Sequence, residues 1–213
     1  MKTENLIRAL AKDLPDAAAK HRHPPSRQLL IAIGLSGLLV GSMIALLLAP
    51  NPHLAHGLIL ANAVTIAAAV ILAALGFYLS LRMLHPEARI NMAAFAFPLL
   101  VLLIGVAIEL MQQPASSWQA RLMGQDPLRC FGLVASLSLP ILLAAFWVLK
   151  RGAPANPSLQ GAAAGFMAAG ITSTLYVLHC PEPSLLYITA WHVPAILLVA
   201  GIGALIGRRW LRW

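Results

Sequence analysis

The chain contains two cysteines, Cys130 and Cys180, and they carry the most reactive chemistry that its sequence offers. Two thiols can be oxidised to a disulfide, and as thiolates they bind soft metal ions. Polar neighbours gather around the second of them. His179 precedes it, Glu182 and His192 follow it, and Glu109 stands alone in an apolar run. Imidazole and carboxylate are ligands for zinc-like ions. No CxxC or HxxxH spacing marks a preassembled centre, however, and taken singly each histidine also reads as an interfacial polar residue. No nucleophile elbow, phosphate loop or cofactor fingerprint is present. The expectation is a non-enzymatic protein without a required cofactor, with a transient heavy-metal ion at Cys130 and Cys180 as the one exception.

The elements that must position these residues are read from hydropathy. Of 213 residues, 60% are hydrophobic and 10% charged, with mean hydropathy +0.80, whereas soluble domains carry about 25% charged residues. Apolar stretches run over Leu29–Ala49, Leu58–Leu81, Met92–Met111, Phe131–Leu149, Leu159–Leu178 and Ile188–Ile206. Each approaches the roughly 20 residues that a helix needs to cross a bilayer. Proline-bearing connectors such as Pro50-Asn51-Pro52 and Pro181-Glu182-Pro183 separate them, because proline lacks an amide donor. The expected fold is all-α: a polytopic bundle of six membrane helices, with a cytoplasmic tail over 1–28, the bundle over 29–206 and a basic tail over 207–213.

Lysine and arginine orient that bundle. With the amino terminus inside, every basic residue except Arg121 and Arg129 falls on the inner side, as the positive-inside rule requires. Both termini are then cytoplasmic and the protein sits in an inner membrane. The formal charge of +8 is spread between apolar runs rather than gathered on one face, so no direct contact with nucleic acid is expected. Cys130 and Cys180 fall at the outer ends of the fourth and fifth spans. That side is oxidising, and a bridge there requires Cα atoms within about 7 Å. Burial as small apolar residues is the alternative for both cysteines.

Three further features enter the reading. Glu109 lies within a span, where a charge costs about 2.5–3.5 kcal/mol at the bilayer centre; a small transporter or channel using that carboxylate is the competing function. Glycine pairs Gly37/Gly41, Gly161/Gly165 and Gly203/Gly207 are spaced for close helix approach. Near the amino terminus, Leu6, Ile7, Leu10 and Leu14 share one face of a short helix. Such a helix docks into a partner's groove or rests on membrane lipid.

Several of these features occur together in one known family. The basic tail beginning Met-Lys-Thr, the six spans, Arg129-Cys130, Gly152-Ala153-Pro154, the glycine-alanine run from Gly161 to Gly170, Leu178-His179-Cys180-Pro181-Glu182 and Trp191-His192 resemble the NrsF family of transmembrane anti-sigma factors. The resemblance covers essentially the whole chain. It implies a protein that holds an extracytoplasmic-function sigma factor at the inner membrane until metal or oxidative stress is sensed. The sensor cysteines would be Cys130 and Cys180, with His179, Glu182, His192 and Glu109 as companions. The sigma-binding element would be the tail containing Leu6, Ile7, Leu10 and Leu14.

Overall fold

Where the surroundings are apolar, backbone amides find partners only in one another, and uninterrupted runs of Leu, Ile, Ala and Val therefore coil into helices. The computed structural model describes residues 3–4, 24–48, 58–85, 92–180, 182 and 184–212. Its helices are α1 (Pro25–Leu47), α2 (Leu58–Arg82), α3 (Ala96–Gln112), α4 (Trp118–Met123), α5 (Pro127–Leu149), α6 (Pro157–Val177) and α7 (Leu185–Trp210). Short 3₁₀ turns at Met92–Phe95 and Ala115–Ser117 lead into α3 and α4. No strand occurs among the described residues.

Proline opens α1, α5 and α6, where its missing amide proton has no helical partner to lose. Asn156 caps α6 by accepting the Leu159 amide proton at 3.1 Å. Ser184 caps α7 through the Tyr187 amide. Pro140 and Pro194 lie inside α5 and α7, and both helices continue through them.

Five helices, α1, α2, α3, α5 and α7, are long and apolar enough to cross a membrane. The sixth long helix, α6, has 21 residues, but Ser158, Gln160, Thr172, Ser173, Thr174 and three glycines dilute its hydropathy. Its position explains that composition. It packs against α1, α2, α5 and α7 and is buried along most of its length, so it needs little apolar surface of its own. By contrast α1 and α3 are peripheral: Leu46 of α1 is 86% exposed and Met111 of α3 is 87% exposed. The main core joins Leu29, Ile44, Leu142, Phe146, Met167 and Val199.

Backbone contact between helices occurs where the side chain is reduced to hydrogen. A Cβ at Gly161 would collide with the backbone of Gly203, and one at Gly165 would stand 2.6 Å from the Ala200 Cα. The spacing of Gly161/Gly165 and Gly203/Gly207 thus brings α6 and α7 together as expected. Gly37 and Gly41 behave differently, because the nearest atoms are side-chain methyls of Ile171 and Leu175 at 3.9 Å. The α2–α6 approach instead uses Gly76 and Gly170, which carry no four-residue partner in the sequence: Cβ atoms there would stand 2.6 Å from the Met167 amide nitrogen and 2.8 Å from the Ala69 carbonyl.

Helix limits depart from the hydropathy reading by up to four residues: α1 begins at Pro25 rather than Leu29, α3 at Ala96 rather than Met92 and α7 at Leu185 rather than Ile188, and two further differences bear on the site. Helix α5 begins at Pro127 rather than Phe131, which draws Cys130 into its first turn. Helix α7 runs through Arg208 and Arg209 to Trp210, so these cations form its last turn, where the carbonyl end of the helix dipole favours them. Consecutive long helices run antiparallel. At one end of the bundle Gln28 accepts from Arg151, and the Arg151 guanidinium lies 4.6 Å from the Trp147 ring centroid. The opposite end holds both cysteines.

Candidate functional site

Cys130 donates its amide to the Asp126 carbonyl in the first turn of α5, and Cys180 donates its amide to Tyr176 just past the end of α6. Both side chains are enclosed, at 1% and 2% exposure. They belong to one apolar cluster with Val134, Tyr176, Tyr187 and Ile188, flanked by Leu48, Phe131 and Trp191. Neither is joined in a disulfide, and each lies within interaction range of the other and of the ring hydroxyls of Tyr176 and Tyr187. The Cys130 thiol and the Glu182 backbone amide hold the Cys180 thiol below its ordinary pKa, against the opposing cost of burial.

A lid of chain closes over this cluster. The Tyr187 hydroxyl donates to the Asp126 carbonyl at 3.1 Å, and the Trp191 indole donates to the Leu122 carbonyl at 2.9 Å. Gly124 turns the chain between these two points at φ 51°, a left-handed conformation that disfavours any side chain. A Cβ there would also stand 2.5 Å from the Tyr187 ring.

Glu109 fastens the lid to α7. Its Oε1 accepts from Arg121 at 3.2 Å and from the Ser184 hydroxyl at 2.8 Å, while Oε2 accepts the Leu186 amide proton at 3.1 Å. Arg121 also donates to the Gln113 side-chain oxygen at 2.9 Å. Both carboxylate oxygens are thus engaged at a helix N-terminus, where negative charge is favoured. This geometry gives Glu109 a structural task and leaves the transporter reading without the carboxylate that motivated it. Replacing Glu109 with alanine strands a guanidinium, a hydroxyl and an amide, and should cost about 2 kcal/mol. Thermal unfolding in detergent, with limited proteolysis between Gln113 and Asp126, measures that loss; an unchanged midpoint and cleavage rate would contradict the clamp.

The remaining residues singled out from sequence are spread more widely. His179 directs Nδ1 to the Leu175 carbonyl at 3.3 Å. Glu182 is half-buried next to the thiols and contributes its backbone amide to Cys180. His192 is 2% exposed and faces the ring of Tyr176, a member of the thiol cluster, at a centroid distance of 5.7 Å. Among the described residues no group of three or more His, Cys, Asp or Glu side chains could hold a metal ion. Leu6, Ile7, Leu10 and Leu14 lie outside the described residues. Sequence reasoning missed Arg121, Ser184, Tyr176 and Tyr187; the Ser-Leu-Leu-Tyr opening of α7 held a capping signal for Ser184.

Comparison with known proteins bears on this arrangement. The "Probable anti-sigma-F factor NrsF" of Azospira oryzae is 31% identical over 216 residues, covering 100% of both chains. The "Anti-sigma-F factor NrsF" of Caulobacter vibrioides is 28% identical over 218 residues, again covering 100% of both. No solved structure matches. Residues 10–213 match the NrsF family, negative regulator of sigma F, and the chain belongs to that family.

Proposed function

We propose that this chain captures an extracytoplasmic-function sigma factor at the inner membrane and releases it when oxidants or thiophilic metal ions reach Cys130 and Cys180. Two full-length relatives carry anti-sigma-F names. The observation that carries the sensing half is the contact of two enclosed, unbridged thiols contributed by α5 and by the α6–α7 connection. In this reading all six long helices span the bilayer, residues 1–24 form a cytoplasmic tail, and both ends lie inside. The thiols then face the oxidising side.

Oxidation to a disulfide transfers two electrons from the sulfurs to the oxidant and releases both thiol protons. A soft metal ion displaces the same protons without electron transfer. Disulfide formation replaces a non-bonded contact by a bond of about 2.05 Å and draws α5 toward the α6–α7 connection, whereas a metal ion held about 2.3 Å from each sulfur wedges between the two elements and fixes their separation. Leu48, at the end of α1, packs on the thiol cluster. With 23 residues, α1 is about 34 Å long, so its far end, at Pro25, is where the amino-terminal residues join the bundle. Release requires that the modified state bind sigma more weakly than the resting one. His179 and Glu182 flank the thiols and tune access to them. The protein works without enzymatic turnover or a resident cofactor, and it touches membrane lipid and sigma rather than nucleic acid.

Co-purification of the detergent-solubilised protein with its genomically adjacent sigma factor tests the capture half. Capture by the intact chain should fall at least about tenfold, equivalent to about 1.4 kcal/mol, in a Leu6→Glu, Leu10→Glu variant. No capture by folded intact protein sinks the proposal. Equal capture by both forms would remove the tail from it and move binding to other cytoplasmic segments.

A further inference from the structure

Four helices, α2, α3, α6 and α7, enclose a cavity of about 320 Å³, at the small end of the roughly 300–1,000 Å³ range of ligand pockets. Most of its wall is apolar, and Phe95 and Phe166 stack on one side with ring centroids 4.4 Å apart. Three polar side chains also line it, Thr65 from α2, Ser173 from α6 and His192 from α7. Each is buried, at 3%, 1% and 2% exposure respectively. The Thr65 and Ser173 hydroxyls and both His192 ring nitrogens have no hydrogen-bond partner among the described residues. Buried polar groups are nearly always paired, so several orphans around one void indicate an occupant.

Leu99 and Leu197 line the same cavity and are 42% and 56% exposed, so its rim is on the apolar flank of the bundle. A solute entering there comes from lipid. The walls specify a flat apolar body held beside aromatic rings. The polar side chains supply two hydroxyl donors and an imidazole that in its neutral form offers one donor and one acceptor, which suits carbonyl oxygens on that body.

From these walls and donors, we infer that the cavity binds a lipid-soluble molecule of the quinone class, with ring carbonyl oxygens directed at His192, Thr65 and Ser173. This site is separate from the thiol pair and does not depend on the sigma-binding proposal. It nevertheless shares Ile188 with the thiol cluster, so an occupant presses on a residue that also packs against the cysteines.

The test uses the full-length protein in nanodiscs, titrated with decylubiquinone while the thermal unfolding midpoint is followed, with decylbenzene as an oxygen-free control of similar shape. A ligand that binds the folded state raises the midpoint with ligand concentration. The expected result is a saturable rise with decylubiquinone and none with decylbenzene. The concentration for half-effect should move at least about tenfold in His192→Leu and in the near-isosteric Thr65→Val, Ser173→Ala double variant, which keeps the test informative if the histidine variant folds poorly. Equal shifts with the two compounds, no saturable shift, or unchanged affinity in the double variant would overturn the assignment and leave water as the partner of these groups.

Discussion

Serine at both Cys130 and Cys180 should abolish induction while leaving sigma capture intact. A hydroxyl is smaller and more polar than a thiol, and in the enclosed cluster between α5, α6 and α7 each substitution should cost about 1–2 kcal/mol, whereas the capacity for disulfide formation or soft-ion binding disappears altogether. Cells carrying the double variant and a reporter of the sigma factor should remain at the uninduced level under cadmium or a thiol oxidant, against a strong response in the wild type. Each single variant should also fail to respond, because a lone thiol cannot close the pair. Normal induction in the double variant would remove the cysteines from the mechanism. Reporter activity that is high without stress would mean instead that the substitution had disturbed the resting bundle, and co-purified sigma would be lost with it.

An equally large effect is expected where α6 meets α7. Valine at Gly161 or Gly203 must place its side chain into the facing backbone. Helix backbones cannot rotate aside as a flexible side chain can, so the two helices must separate along this seam. The cost should reach about 3 kcal/mol or more, the upper part of the range for overpacking. Detergent-resistant folded protein should fall sharply, read as a lowered thermal midpoint and rapid digestion by protease. Gly201→Ala is the matched control on the same helix, since nothing lies within 4 Å of its added methyl group. There alanine should stabilise by about 0.5–1 kcal/mol through the unfolded chain and helix propensity. A Gly161→Val protein as stable as the control would refute the backbone contact.

Hydropathy located the long helices because each spans a continuous apolar run, and the proline clusters marked their limits to within a few residues. Its errors have physical causes. Hydropathy starts α5 at Phe131 because Asp126 and Arg129 are polar, yet Pro127 provides a favourable first turn and the helix begins there. The connection from Gln112 to Arg129 reads as loop, and α4 within it is held by tertiary bonds to α7 that no local pattern reveals. Glu109 was weighed as a buried charge with a task in transport because its three donors are 12, 75 and 77 residues away in sequence. The same limitation hid the role of Thr65 and Ser173. Isolated hydroxyl residues in apolar helices ordinarily bond their own backbone, as Thr174 does to Gly170; Thr65 and Ser173 do not, nor do Ser80, Thr172 and Thr189, and only the assembled helices place the first two on one cavity. Glycine spacing identified the α6–α7 seam but not the α2–α6 seam, where single glycines on facing helices suffice.

The composition of α6 also constrains how the molecule is made. A segment with Gln160, Thr172 and Ser173 in its interior and glycine on several faces has a weaker claim on the lipid phase than its neighbours, and its companion α7 is synthesised after it. The ribosome therefore releases α6 while one whole side still lacks the surface that will cover it. Until α7 arrives, α6 has only α1, α2 and α5 to pack against, which makes α7 the member that closes this assembly rather than an appendage to it.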